Sequence, residues 1–180
     1  MRWKYLDIAF EPGGTDHSTA GGSYTVAREI SEKVFGSKPP IFQGYEFVGI
    51  KGIAKMSSSA GTGISPLNLL EIYEPGILRW LFSRTNPKAA ITLHFDKEII
   101  RQYDEFDRLV ENHYSKKNSG RDERVLFFAR PDVKTDFLKN RAPFRQVAAF
   151  GQIAQGDSEK LSELLGRIGA NYTPEELSGR

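Results

Sequence analysis

Lys55 stands directly before Met56 and a run of hydroxyls, Ser57, Ser58 and Ser59, with Gly52 and Gly61 on either side. The ammonium group meets negative charge, the hydroxyls and backbone N–H groups donate to non-bridging oxygens, and the glycines permit the unusual backbone angles of a closing loop. As a bare string this is a surface turn. As chemistry it is a loop able to close over a polyphosphate. A second constellation, Gly13-Gly14-Thr15-Asp16-His17-Ser18, suits the other end of a nucleotide. An aspartate accepts both hydroxyls of a ribose, glycines let a flat adenosine approach the backbone, and a helix amino terminus favours anions. The plainer reading makes Asp16 a helix N-cap and His17 a surface or supporting hydrogen-bond donor.

Elements must hold these residues. Tyr5 to Glu11 alternate apolar and polar side chains and run into Pro12-Gly13-Gly14, which predicts a strand ending in a glycine loop. A helix is expected from about Ser18 to Val34, with Val26, Ile30 and Val34 on one face and Gly21 and Gly22 weakening its first turn. Tyr45 to Ile50 predicts a second strand. The strand, helix, strand order suits a parallel α/β sheet, and it puts Gly14, Asp16 and His17 at the carboxyl end of the first strand, where such sheets bind nucleotides. The Lys55 loop follows the second strand.

The rest reads as helical. Ser65-Pro66 is a cap followed by a proline suited to the first helical position, and Glu74-Pro75-Gly76 interrupts that helix. Further helices are expected at about Ile77 to Ser83 and Lys97 to Tyr114, the latter striped by Ile99, Tyr103, Phe106 and Val110. Lys116 to Arg124 is the best internal boundary, and Val125 to Ala129 is either a short strand or a buried helical turn. Two amphipathic helices, around Phe144 to Ile153 and Leu161 to Ile168, join near Gly156-Asp157. Thr173-Pro174-Glu175-Glu176 is a helix start with a capping box. Because the chain stops four residues later, it is expected to be a piece of something longer.

Composition sets bounds. The 180 residues are 39% hydrophobic and include 25 lysines plus arginines against 23 acids, so net charge alone indicates no nucleic-acid partner. Local charge differs: Lys116, Lys117, Arg121, Arg124, Arg130, Lys134, Lys139, Arg141 and Arg145 form a basic excess able to track a phosphate backbone. There are no cysteines, which excludes disulfides and thiolate metal sites. The three histidines, His17, His94 and His113, have no metal-ligand spacing, so no zinc site is expected. No apolar run approaches the ~20 residues of a membrane helix, and the expected location is the cytoplasm. The absence of a Gly-x-x-x-x-Gly-Lys loop and of Asp-Phe-Gly argues against a phosphotransferase.

The Lys-Met-Ser-Ser-Ser string resembles the KMSKS signature of class I aminoacyl-tRNA synthetases. The wider run is similar to their lysyl type, from Glu11-Pro12-Gly13-Gly14-Thr15-Asp16-His17 through Tyr45-Glu46-Phe47, the loop and Ile64-Ser65-Pro66-Leu67 to Tyr103-Asp104-Glu105-Phe106 and Pro143-Phe144-Arg145. Ser58 replaces the general signature's second lysine, a variant expected in this type. The resemblance implies an α/β fold, the second half of a Rossmann-type nucleotide-binding domain followed by a mainly α-helical region. The implied divisions are residues 1–64 with the loop, a stem-contact-like helical region at 65–120, and the start of a tRNA-binding region at 121–180. Implied too are ATP as substrate, with any magnesium brought in by ATP, and lysine and tRNA-Lys as partners. Lys55 is the implied catalytic residue. Gly14, Asp16, His17, Lys55, Met56, Ser57 and Ser58 would bind ATP, and Tyr45 and His17 the amino acid, Tyr45 offering an aromatic face to an ammonium; a core tyrosine is its plainer reading. Trp3 falls at the pocket edge or in packing. The family's His-Ile-Gly-His motif is absent, so a missing amino-terminal half is expected as a partner, and half a nucleotide fold leaves sheet edges and apolar faces exposed. The alternative is a non-catalytic ATP- or RNA-binding module derived from a synthetase.

Overall fold

The computed structural model describes residues 2–52, 64–129 and 141–177, and the Lys55 loop lies outside them. Among the described residues, 2–52 and 85–93 form one compact unit, and 64–84, 94–129 and 141–177 form another.

The first unit begins with a short helix, α1 (Arg2–Tyr5), stopped by Asp7 in the left-handed region at φ 48. Strand β1 is Phe10–Gly14, a single 3-10 turn follows at Thr15–Ser18, and α2 spans Ser23–Lys33. Strand β2, Ile41–Tyr45, pairs with β1 in parallel, so the expected strand, helix, strand unit is present. Its strands are displaced from the expected ones. Tyr5 belongs to α1, while Pro12-Gly13-Gly14 is strand: the parallel ladder with β2 holds it, and a two-stranded sheet tolerates a proline that donates no bond. The second expected strand is broken in two. After β2, Glu46 turns aside to donate its N–H to the Pro87 carbonyl at 2.8 Å, and β3 (Val48–Ile50) pairs in parallel with β4 (Ile91–Leu93) in a separate sheet.

The stripe Val26, Ile30 and Val34 lies on α2, but all three are exposed. The helix instead packs through Tyr24, whose ring lies 4.4 Å from that of Phe42 and whose hydroxyl donates to the Pro40 carbonyl at 2.8 Å. Buried Ser31 donates to the Ser37 carbonyl at 3.0 Å. Tyr5, Leu6, Phe10 and Ile41 are exposed as well.

The second unit is helical: α3 (Pro66–Leu70), α4 (Pro75–Arg84), α5 (Glu98–Tyr114), α6 (Gly120–Ala129), α7 (Phe144–Ala154), α8 (Ser158–Gly166) and α9 (Pro174–Leu177). Ser65 caps α3 with a capping box closed by Asn68, as its Ser-Pro start requires. On α5, Tyr103, Phe106 and Val110 are buried as the stripe predicts, as are Ile77, Trp80 and Leu126, and the Trp80 ring lies 5.7 Å from that of Phe106. Residues 125–129 are helix, not strand. The turn before α6 is held inside the unit by Asn118, which donates to the Leu109 carbonyl and to Glu123. Asp157 caps α8 through the N–H groups of Glu159 and Lys160. Thr173 and Glu176 exchange the expected reciprocal bonds at the start of α9. A second apolar cluster joins Val147, Ala154, Leu161, Leu165 and Leu177.

Candidate active site

Parallel pairing fixes the site. Gly14 and Tyr45 are partners in the last register position of β1 and β2, so both sit at the carboxyl ends of their strands. The chain leaves Gly14 in the 3-10 turn that carries Asp16 and His17. Thr15 ties this turn to the segment after β2 by donating its hydroxyl to Glu46 Oε1 at 3.2 Å. Serving as N-cap of the turn is Gly14, and as N-cap of α2 Gly22, neither with a side-chain bond, so Asp16 caps no helix. Its carbonyl accepts from Thr19 N–H and Oγ1, and its Oδ1 lies where a Cβ on Gly14 would come within 2.6 Å.

A cleft of ≈ 470 Å³ opens beside these strands. Gly13, His17 and Tyr45 line it, with Trp3, Tyr24 and Phe42 as aromatic walls and Glu11 as its carboxylate. Gly14 and Asp16 are not among the lining residues. Tyr45 is 49% exposed, which makes it a surface aromatic and not a core one. Trp3 does both things its sequence context allowed: its ring packs 5.3 Å from that of Tyr24, and its Nε1–H donates to Glu11 Oε2 at 3.3 Å at the cleft wall. Arg2 holds the other Glu11 oxygen. Polar cleft residues that sequence reasoning did not assign to the site include Glu11 and Ser23. Glu11 had a readable signal, since it precedes Gly13 by one strand period. Ser23 had one too, a hydroxyl at the first turn of a helix beginning just after a histidine-bearing loop; its Oγ lies 2.8 Å from His17 Nδ1.

Lys55, Met56, Ser57 and Ser58 lie outside the described residues. So do Arg130, Lys134 and Lys139 of the basic segment. Arg141 is removed from any surface role, being 7% exposed and ion-paired to Glu74 and Asp107, and Arg145 is paired with Asp104. Arg121 and Arg124 remain exposed. Among the described residues no group of three or more acids or histidines is placed to hold a metal ion, and no helix is long and apolar enough to cross a membrane.

Comparison with known proteins identifies the family. The family model described as "tRNA synthetases class I (K)" matches residues 1–130. A lysine–tRNA ligase of Streptomyces coelicolor is 37% identical over 172 residues, covering 93% of this chain and 29% of that protein. Those of Thermococcus kodakarensis and Pyrococcus horikoshii are 36% and 35% identical over 99% of this chain, covering 35% and 34% of their own lengths. The chain thus spans about a third of the curated relatives it matches. With a parallel strand, helix, strand unit whose carboxyl ends carry Gly14, His17 and Tyr45, and a family match over its first 130 residues, the chain belongs to the class I (K) tRNA synthetases.

Proposed function

We propose that the chain is a portion of a lysine–tRNA ligase that takes part in ATP-dependent activation of lysine and its transfer to tRNA-Lys. The observation that carries this reading is the gathering of Gly14, His17 and Tyr45 at the carboxyl ends of two parallel strands within the family match. Residues 1–64 serve as the second half of a Rossmann-type domain with a KMSKS-type loop, 65–120 as a stem-contact-like region and 121–180 as the start of a tRNA-binding region. The His-Ile-Gly-His motif, absent here, is supplied by an amino-terminal half.

In this reading Asp16 takes the ribose hydroxyls, Gly14 lets the adenosine lie against the backbone, and His17 stands between nucleotide and amino acid. Tyr45 gives its face to the lysine ammonium. Adenylate formation sets the lysine carboxylate in line with the ATP α-phosphorus while pyrophosphate leaves, so catalysis is positioning plus charge stabilisation. Lys55, with Met56, Ser57 and Ser58, serves the leaving phosphates, and magnesium accompanies ATP. The place of work is the cytoplasm.

The test is lysine-dependent ATP–pyrophosphate exchange, with the chain alone and with the amino-terminal half of a related ligase added. Exchange needing both halves, and lowered about 100-fold by Lys55→Ala, in line with ~3 kcal/mol of lost transition-state stabilisation, is the expected result. Folded protein giving no exchange in either case moves the assignment to a non-catalytic ATP- or RNA-binding module.

A further inference from the structure

Ser23 is the first residue of α2, and its Oγ lies 2.8 Å from His17 Nδ1. Neither side chain makes another hydrogen bond among the described residues. The backbone locks the same pair: a Cβ on Gly22 would fall 2.4 Å from the His17 carbonyl oxygen, so only glycine lets the start of α2 approach the turn this closely. Both residues line the cleft.

Two arguments assign the protons. The Ser23 hydroxyl has Nδ1 as its one acceptor among the described residues. It also stands at the positive end of an eleven-residue helix, which favours a lone pair over an N–H on the ring nitrogen facing it. In the neutral ring Nδ1 therefore accepts and Nε2 keeps its proton. An Nε2–H donor meets an oxyanion; it opposes an ammonium, which has only donors to offer.

We propose that Ser23 is a positioning residue that fixes His17 as a hydrogen-bond donor to the oxyanion at the α-phosphate position of the bound adenylate, and not to the lysine ammonium. The ligand assignment rests on the ligase reading above; the pairing of the two side chains does not.

Long-range 1H–15N spectra of the histidine-labelled chain at pH 8, with His17 assigned by its loss in His17→Gln, read the tautomer directly. The expected result is one tautomer protonated at Nε2, averaging of the two in Ser23→Ala, and its return in Ser23→Thr, with amide spectra reporting that each variant is folded. A ring protonated at Nδ1 overturns the proton assignment, and one unchanged in Ser23→Ala overturns the pairing. In the reconstituted two-half enzyme, Ser23→Ala is expected to weaken a sulfamoyl analogue of lysyl-adenylate about 3- to 10-fold, the range of one hydrogen bond, while free lysine binds as before. Equal losses for both ligands overturn the oxyanion assignment. If the wild-type pair of halves binds no analogue, the oxyanion assignment falls with the ligase reading, while the tautomer still decides the pairing.

Discussion

Arg141 Nη2 lies 2.7 Å from Glu74 Oε2, joining residues 67 positions apart in sequence. The same guanidinium donates through Nε to Asp107 at 2.9 Å and lies 5.2 Å from the Phe106 ring. Asp107 also accepts the N–H of Phe144, the first residue of α7, and Phe144 stacks 3.8 Å from Tyr103. One buried cation thus fixes the starts of α4 and α7 to the middle of α5. Replacing it leaves two largely buried carboxylates facing each other without their shared charge. Arg141→Leu is expected to lower the unfolding free energy by about 3–5 kcal/mol, measured by urea denaturation. A loss below about 1 kcal/mol would show that solvent compensates the acids.

Gly22→Ala tests the turn that carries His17. The new Cβ would meet backbone atoms, His17 O at 2.4 Å and Asp16 O at 2.8 Å, which have no rotamer with which to escape. The expected cost is about 1–3 kcal/mol in thermal or denaturant unfolding. The Ser23–His17 bond is expected to be lost with it, read from the His17 ring resonances.

Tyr73 gives the second unit a pH dependence. Its hydroxyl lies 2.6 Å from the His94 carbonyl and 3.0 Å from Gln102 Oε1. Burial pushes the phenol above its ordinary value of 10.0; the bond to His94 pulls it partly back, and the Asp96 charge adds to the rise. A folded-state value raised in this way contributes stability that is complete below the unfolded value and is lost as pH climbs through the folded one. Tyr73→Phe is therefore expected to cost about 1 kcal/mol at pH 8, with the gap to wild type closing above pH ~10. Melting temperatures of both proteins across that range check it; a gap that widens with pH would contradict the sign.

Gln155 ends α7 in the left-handed region, at φ 55 and ψ 36. A side chain there is strained where glycine is not, so Gln155→Gly is expected to stabilise by about 1 kcal/mol, read as a raised urea midpoint at unchanged slope.

What the sequence made legible follows from the range of each signal. Caps and stripes are local: Ser65, Asp157 and Thr173 announced their helices, and Tyr103, Phe106 and Val110 announced the buried face of α5. Strand β4 is three residues long, too short to display a period of two, and its pairing to β3 depends on residues distant in sequence. The α2 stripe was legible as a stripe but not as a burial, because periodicity reports an apolar face and is silent on what meets it. The glycine-aspartate-histidine string was expected at the carboxyl end of a strand, and it lies at that end of β1. The Ser23 contact was hidden because a side-chain pair across a turn leaves no spacing rule. Arg141 misled for the same reason, its charge counting toward a basic surface until its two acids were seen.

The pairing of β3 with β4 bears on how the chain is made. On a ribosome Val48–Ile50 emerges well before Ile91–Leu93, and the residues of α3 and α4 come between. Helices close on contacts along their own length, whereas β3 must wait for its ladder until Leu93 has cleared the exit tunnel. A nascent chain stalled ahead of Ile91 lacks the ladder partner of β3, so translation speed through α3 and α4 sets how long that edge stays open.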